Sequence, residues 1–308
     1  MFDDLIQQKL VTKREYTDGN YAGLSVFKYS RSVFYNNSWN NDPRLVECRG
    51  IVLDSSDKII TYPFTKVFNY FQHTGCTETG DTIDLETIVV APRKMNGFMA
   101  AVSLYNNRLL VSTTGTLDSD YATLAASEIN YLNQNELMAF LQRDQATLMF
   151  EICHASDPHI IPESPGVYLI GYRRNEIGSE MASEAVLDAI AAIIGAKRPE
   201  CITGSFGALI ERSRAVKHEG FMVRDSGTGK ILCKIKSPYY LTKKFLMRLH
   251  TNKVQSLYEN KQSARAKLDE EYYPLLDHIV DTYTCDEFCA MDEDARAAII
   301  DNYFSGAK

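Results

Sequence analysis

A lysine amine is charged and inert near neutral pH. It becomes a nucleophile only when burial or nearby positive charge lowers its pKa. The run Arg93-Lys94-Met95-Asn96-Gly97 offers one lysine such a place. Residues 86–91 read as an apolar strand broken at Pro92, and residues 97–105 read as another. Lys94 therefore falls between two strands, where a sheet can bury it. Gly97 is expected to let the backbone turn sharply and approach a ligand closely. The chemistry this arrangement suits is attack on a phosphate. A Lys-x-x-Gly also occurs by chance in many proteins, so its meaning depends on what accompanies it.

Several charged residues accompany it at strand ends. Ile231-Leu232-Cys233-Lys234-Ile235-Lys236 alternates with period two, so Lys234 and Lys236 share one strand face. Two lysines on one face repel unless an anion lies between them, although a solvated face is the commoner reason for such a pair. Lys66 lies among aromatics in Pro63-Phe64-Thr65-Lys66-Val67-Phe68-Asn69-Tyr70. Residues 45–53 read as a strand interrupted by Glu47 and Arg49, a costly pattern unless the charges pair or face a site. The plain account is a Glu47–Arg49 pair on an exposed face. Glu151 sits in an apolar strand over 147–152, and Glu219 begins a strand ahead of Gly220. Five cations (Arg49, Lys66, Lys94, Lys234, Lys236) and two carboxylates in one sheet-rich core suit the grip of a nucleoside triphosphate and a metal. Neighbouring cations would also depress the pKa of Lys94.

The elements that must position these residues follow from pattern. A short amphipathic helix is expected over 3–10, strands over 21–35, and a break in the Asn-rich 36–43. Residues 59–62 pair back as a hairpin, and Asn106-Asn107 makes a tight turn. Ser119 is a candidate N-cap for a helix to about residue 132, with another helix over 135–142. A buried strand is expected over 166–172, and a helix over 182–194 capped by Gly195. Another helix is expected over 205–216. From residue 240 the pattern is helical, with Pro274 starting a later segment. Lys243, Lys244, Arg248, Lys253, Lys261, Arg265 and Lys267 make the first half of this tail basic, and 269–301 is acidic.

Length and composition bound the class. The 308 residues, 45% hydrophobic and 24% charged, allow a large domain and a smaller one. A net charge of −7 requires any nucleic-acid contact to use a local basic surface. Seven scattered cysteines suggest reduced thiols, and Cys285 and Cys289, one helical turn apart, lack the second pair of a zinc site. The acidic Met1-Phe2-Asp3-Asp4 lacks a signal-peptide pattern, and no apolar run is long enough for a bilayer. A cytoplasmic location is expected, that of the host cell if the chain is phage-encoded.

Taken together, Glu47-Cys48-Arg49-Gly50, Lys66-Val67-Phe68-Asn69, Lys94-Met95-Asn96-Gly97, Phe150-Glu151, Glu219-Gly220 and Lys234-Ile235-Lys236 resemble, in order, the motifs of a known family. It is that of the ATP-dependent RNA ligases founded by the RNA ligase of T-even bacteriophages, among the covalent nucleotidyltransferases. The resemblance runs from about residue 21 to residue 240. It implies an α+β nucleotidyltransferase (ATP-grasp-like ligase) core of antiparallel sheets with flanking helices over 1–240, and a small all-α domain over 241–308. It implies that Lys94 attacks the α-phosphate of ATP and carries AMP, and that Arg49 and Lys66 contact ribose or phosphates. Lys234 and Lys236 would hold the α-phosphate, Glu151 the ribose and Glu219 a Mg²⁺ or Mn²⁺ ion, with Gly97 in the nucleotide pocket. Tyr29 aligns with a functional tyrosine. The partner implied is RNA, as single-stranded ends or breaks in a tRNA anticodon loop, joined at 5′-phosphate and 3′-hydroxyl by a monomer in RNA repair. The alternatives are a non-catalytic RNA-end binder of the same fold and a DNA ligase. The tail lacks the strands of the extra barrel that DNA ligases and capping enzymes carry. Two positions depart from the pattern: Thr114, before Gly115, stands where a basic residue is common, and Asn96 where Asp is commoner. The phosphate contact missing at 114 is either lost or supplied elsewhere.

Overall fold

The computed structural model describes residues 1–157, 159–247, 251–261 and 272–306. The chain begins α1 (Asp3–Gln7), β1 (Val11–Glu15), β2 (Ser25–Tyr29), α2 (Arg31–Tyr35), β3 (Arg49–Leu53) and β4 (Ile59–Thr61). It continues β5 (Tyr70–Phe71), β6 (Cys76–Thr77), β7 (Ile88–Pro92), β8 (Phe98–Tyr105), β9 (Arg108–Ser112), α3 (Asp120–Ile129) and α4 (Gln134–Asp144). Then come β10 (Ala146–Cys153), β11 (Gly166–Arg174), α5 (Glu184–Ile194), β12 (Cys201–Ser205), α6 (Phe206–Ala215), β13 (Gly220–Asp225) and β14 (Ile231–Lys236). The described helices of the tail are α7 (Pro238–Leu246), α8 (Thr251–Glu259), α9 (Tyr273–Thr282), α10 (Cys285–Ala290) and α11 (Glu293–Ser305). The α+β class expected from the sequence, with antiparallel sheets and flanking helices, is the one found.

The single core expected is not. The strands form sheets ordered β1-β2-β3-β4, β11-β10-β8-β9, β12-β7-β13-β14 and β5-β6. They divide between two compact units. One comprises Met1–Val67, Met95–Cys201 and Ser226–Lys230; the other comprises Phe68–Lys94, Ile202–Asp225 and Ile231–Lys308. Each unit has its own apolar centre, so the seven charged candidates are shared between two cores.

In the first unit, Ala100 and Val102 of β8, Leu148, Phe150 and Ile152 of β10, and Val167 and Leu169 of β11 meet the buried faces of α3, α4 and α5. Leu187, Ile190, Ala191 and Ile194 recur at helical spacing on α5, and burying each Leu or Ile is worth about 1.5–3 kcal/mol. β10 is buried along its whole length, which explains its unbroken apolar reading. Buried polar contacts tie β4 and its continuation to the central sheet. Thr61 and Ser103 share a hydroxyl bond of 2.7 Å, and the Tyr62 N–H donates to Thr147 Oγ1 at 2.8 Å. Ser119 and Ser183 cap α3 and α5 by accepting from Ala122 N and Val186 N. Asn106 and Asn107 take φ of 51° and 58°, the left-handed pair that joins β8 to β9 tightly.

In the second unit, Val89, Ala91, Phe221, Val223, Cys233 and Ile235 pack on Phe206, Leu209 and Ile210 of α6. The tail belongs to this unit. Tyr272 donates its hydroxyl to Leu241 O at 3.2 Å, and Tyr303 of α11 stacks on His73, beside β5, at 4.7 Å. Pro274 lies in the first turn of α9, the place expected for it.

Several local readings are corrected. Residues 31–35 are helical rather than strand. Pro92 ends β7 rather than interrupting it, since a proline at a strand end forfeits little of the ladder. Residues 43–46 form a 3₁₀ turn capped by Asp42, so Glu47 lies outside β3. Its partner is not Arg49 but the buried Arg173, whose Nη1 is 3.5 Å from Glu47 Oε2 and also donates to Pro63 O. β12 was not expected, because Cys201–Ser205 is short and only half-buried.

The basic residues of the tail have different surroundings. Lys244 is buried, its ammonium over the rings of Tyr240 (5.5 Å) and Tyr272 (5.8 Å), so it belongs to the helical core. Lys261 pairs with Asp277. The side chains of Arg248, Lys253, Arg265 and Lys267 lie outside the described residues. Its neighbour Lys243 keeps partial exposure. Accordingly, Lys244→Ala is expected to lower the melting temperature, and Lys243→Ala to leave it unchanged. Thermal denaturation of the two variants distinguishes these roles.

Candidate active site

Glycines order the candidate residues of the second unit. Gly220 opens β13 at φ +134°, and a Cβ there would lie 2.0 Å from Ile235 O and 2.8 Å from Lys236 Cα. Only glycine lets this backbone press so closely against β14. Its carbonyl accepts from Lys94 N at 2.9 Å, and Arg93 bridges Phe221. Lys94 is thereby fixed just beyond β7, one strand from Gly220, which is itself the register partner of Lys236. At about 4.8 Å per strand, the backbones of Lys94 and Lys236 are about 10 Å apart. The Lys94 ammonium is 3.0 Å from Oε1 of Glu219, a buried carboxylate. An opposite charge this close favours the ammonium form. Lys234 donates its backbone N–H to Phe68 O at 2.9 Å and bridges Asn69, which anchors the Phe68-Asn69 end of the motif to β14. Lys236 lies over the Tyr240 ring at 5.6 Å.

The first unit holds Tyr29, Arg49, Lys66, Gly97 and Glu151. Gly97 does not take a positive φ. Its Cβ would meet Ile152 O at 2.2 Å, so the glycine serves close passage along β10 rather than a sharp turn toward a ligand. The Gly97 N–H donates to Glu151 Oε1 at 3.1 Å, placing that buried carboxylate at the end of the lysine motif. Asn96 Oδ1 accepts from Ile161 N at 2.8 Å, giving the amide at this position a structural partner. Gly50, at φ +92°, brings β3 against the loop after β9, where a Cβ would lie 2.9 Å from Thr114 Cα. The Glu-Cys-Arg-Gly run is therefore four separate devices. Glu47 holds Arg173, Cys48 fills space with its thiol pushed up to about 12 mainly by burial, Arg49 opens β3, and Gly50 permits close packing.

One residue of this neighbourhood escaped the sequence reading. Trp39, the chain's single tryptophan, is buried within the Asn-rich segment that reads only as a break. Its ring meets Tyr29 edge-on at 5.0 Å and lies under the Lys66 ammonium at 5.2 Å. The signal was present in its type: a lone large aromatic in a polar stretch commonly marks an anchored position.

A family model described as RNA ligase matches residues 47–240, well over half of the chain. The chain belongs to this RNA ligase family. Among solved structures, this member of the family is similar to an archaeal ATP-dependent RNA ligase at 12% identity and a TM-score of 0.58, over 98% of this chain and 75% of that one. A second form of the archaeal RNA ligase gives 0.57 at 12% identity, over 99% and 79%. A candidate ATP-dependent DNA ligase from Aquifex aeolicus gives 0.58 at 15% identity, over 98% and 76%. At such identities the likeness speaks for a common ligase fold. No curated protein matches the ligase in sequence. Among the described residues, no helix is long and apolar enough to cross a membrane.

Proposed function

We propose that this family member is an ATP-dependent RNA ligase working through a lysyl-AMP intermediate. The observation that carries the reading is the Lys94–Glu219 pair, fixed to the β13–β14 hairpin that bears Lys234 and Lys236, inside the stretch matched by the family. The lone pair of Lys94 Nζ forms an N–P bond to the α-phosphorus of ATP. The bond from that phosphorus to the bridging oxygen breaks, and its electron pair leaves with pyrophosphate. Attack needs the neutral amine, so the pair with Glu219 opens and the ammonium proton passes to solvent. An oxygen of the RNA 5′-phosphate then displaces Lys94 from the adenylyl phosphorus, and the amine regains a proton. Finally the 3′-hydroxyl oxygen attacks the 5′-phosphorus, losing its proton, and AMP departs with the electron pair.

In this reading Lys234 and Lys236 face the α-phosphate, Arg49, Lys66 and Tyr29 the ribose or phosphates, and Glu151 the ribose beside Gly97. A divalent ion, Mg²⁺ or Mn²⁺, supplies charge neutralisation at the phosphates when bound, and Glu219 is the residue assigned to it. Among the described residues, no group of three or more His, Cys, Asp or Glu side chains could hold a metal by itself. Residues 1–240 are proposed as the adenylyltransferase part and 241–308 as a helical C-terminal part.

The test is a panel of ends. With ATP and Mg²⁺ or Mn²⁺, 5′-phosphorylated single-stranded RNA and a broken RNA hairpin are expected to be sealed in preference to nicked DNA. Chelation with EDTA is expected to stop both sealing and AMP transfer. Sealing of DNA alone would refute an RNA substrate. Tight RNA binding with no AMP transfer would establish the non-catalytic reading instead.

A further inference from the structure

A cleft of about 390 Å³ opens in the first unit between β4, the β8–β9 turn and the end of α4. Ile60, Leu141 and Ala146 are buried along its floor. Its rim carries Asn106, Asn107, Gln142, Gln145 and Lys58, all exposed. Among the described residues, none of these four amides makes a side-chain hydrogen bond. This size, an apolar floor and a few converging polar groups are the marks of a ligand pocket. Two of the amides are also placed at a cost. Asn107 and Gln145 take φ of 58° and 44°, where glycine is the easy residue. A tight hairpin turn accounts for Asn106 at φ 51°, but its second position suits glycine better than another asparagine. Gln145 caps α4 in the left-handed conformation, again where glycine is usual. Backbone strain of this kind clusters at ligand sites.

Charge and hydrogen-bonding capacity narrow the ligand. No acid lines the cleft. Of the acids beside lining residues in the chain, Asp57 holds the N-terminal ammonium at 3.1 Å, Asp144 holds Arg143 and Tyr172, and Glu176 is exposed. Arg108 follows Asn107, and Arg174 is the register partner of Ala146; both are exposed. Three cations thus stand at or beside the cleft, in a chain of net charge −7. That is the local basic surface a nucleic acid requires. An amide offers donors and an acceptor together, as the edge of a nucleobase does, whereas a simple anion would leave the amide acceptors unused.

We infer that this cleft seats one unpaired base of single-stranded RNA, with Lys58, Arg108 and Arg174 serving the phosphates on either side. This rests on the reading of the protein as an enzyme of RNA. Ala146 opens β10, and Glu151 lies further along the same strand, about 17 Å away at about 3.4 Å per residue. The cleft is therefore a second contact for the RNA, remote from the Glu151–Gly97 neighbourhood. It acts on the hold on the strand and not on AMP transfer. A base within a duplex is stacked and has its pairing edge occupied, so the cleft selects single-stranded or looped RNA.

The experiment uses the full chain and a fluorescent single-stranded RNA without ATP, so that no catalysis enters. Asn107→Gly/Gln145→Gly removes two amides and relieves two strained positions; Lys58→Gln removes one charge. The glycine pair is expected to weaken RNA binding about tenfold, the scale of two hydrogen bonds, while its melting temperature is held or raised. Lys58→Gln is expected to flatten the salt dependence of binding by about 0.7 in logarithmic slope. Both variants should take AMP as the wild type does. RNA carrying 4-thiouridine should crosslink to peptides holding residues 104–107 or 141–146. Unchanged RNA affinity in the glycine pair, or crosslinks confined to other segments, would overturn the assignment. So would a fall in melting temperature alongside the loss of binding, which would make the amides structural, or equal binding of duplex and single-stranded RNA, which would make the cleft a backbone contact. A wild-type protein that binds RNA through the cleft but takes no AMP would refute the lysyl-adenylating reading and keep the base seat. One that takes AMP and seals RNA, undisturbed by either variant, would keep that reading and refute the seat.

Discussion

Lys94→Arg is expected to abolish AMP transfer, by about a thousandfold or more, while the protein stays folded. The guanidinium can keep the ion pair with Glu219, which sits 3.0 Å from the native ammonium. It cannot deprotonate, so it offers no lone pair to phosphorus. Lys94→Ala should lose AMP transfer equally, but it strands a buried carboxylate. Removing one partner of a fully buried pair costs about 3–5 kcal/mol. Lys94 is about a quarter exposed, so solvent screening reduces that figure here. The arginine variant therefore separates chemistry from stability. Both variants should still seal RNA that is already adenylylated, because that step uses no lysine nucleophile. Measuring labelled AMP transfer and the sealing of pre-adenylated RNA on the same preparations checks this. Substantial AMP transfer by Lys94→Arg would place the nucleophile elsewhere.

Gly220→Ala is expected to be among the most damaging single-methyl additions to the fold. The added carbon would lie 2.0 Å from Ile235 O, and φ would remain +134°, where an L-residue is strained. β14 cannot retreat easily, because Cys233 and Ile235 are fully buried against the core of their unit. Overpacking of this kind costs about 1–3 kcal/mol, to which backbone strain adds. Gly229→Ala makes the control. It also has a positive φ, +72°, but nothing within 4 Å of the new carbon, so only the left-handed cost of about 1–2 kcal/mol applies. Denaturant melts should show a clear drop for Gly220→Ala and a smaller one for Gly229→Ala. Equal drops would mean that close approach to β14 is not what the glycine provides. AMP transfer should fall with Gly220→Ala too, since Lys94 is hydrogen-bonded to the carbonyl of that residue.

What could be read in the chain beforehand followed physical rules of different reach. Period-two alternation placed Lys234 and Lys236 together on one face of β14, which is half-buried, opposite the buried Cys233 and Ile235, because the pleat fixes side-chain direction locally. Serine caps, Gly195 after α5 and the paired asparagines of the β8–β9 turn were legible for the same reason: each meets a backbone requirement within a few residues. Partners far apart in sequence were not legible. Nothing in the local pattern tells Glu47 to choose Arg173 over Arg49, or Trp39 to carry Lys66. The glycines of Arg-Gly, Asn-Gly and Glu-Gly could be singled out, but what each makes room for is a strand or loop remote in the chain. The division into two units was hidden too, because the chain passes between them several times.

The most direct measurement of the central claim is mass spectrometry of the intact protein after incubation with ATP and Mg²⁺ or Mn²⁺, followed by mapping of the modified peptide. The account predicts one AMP per chain, bonded to the side chain of Lys94 and removed by added pyrophosphate. An unmodified wild-type protein, or AMP carried on any other residue, would contradict it.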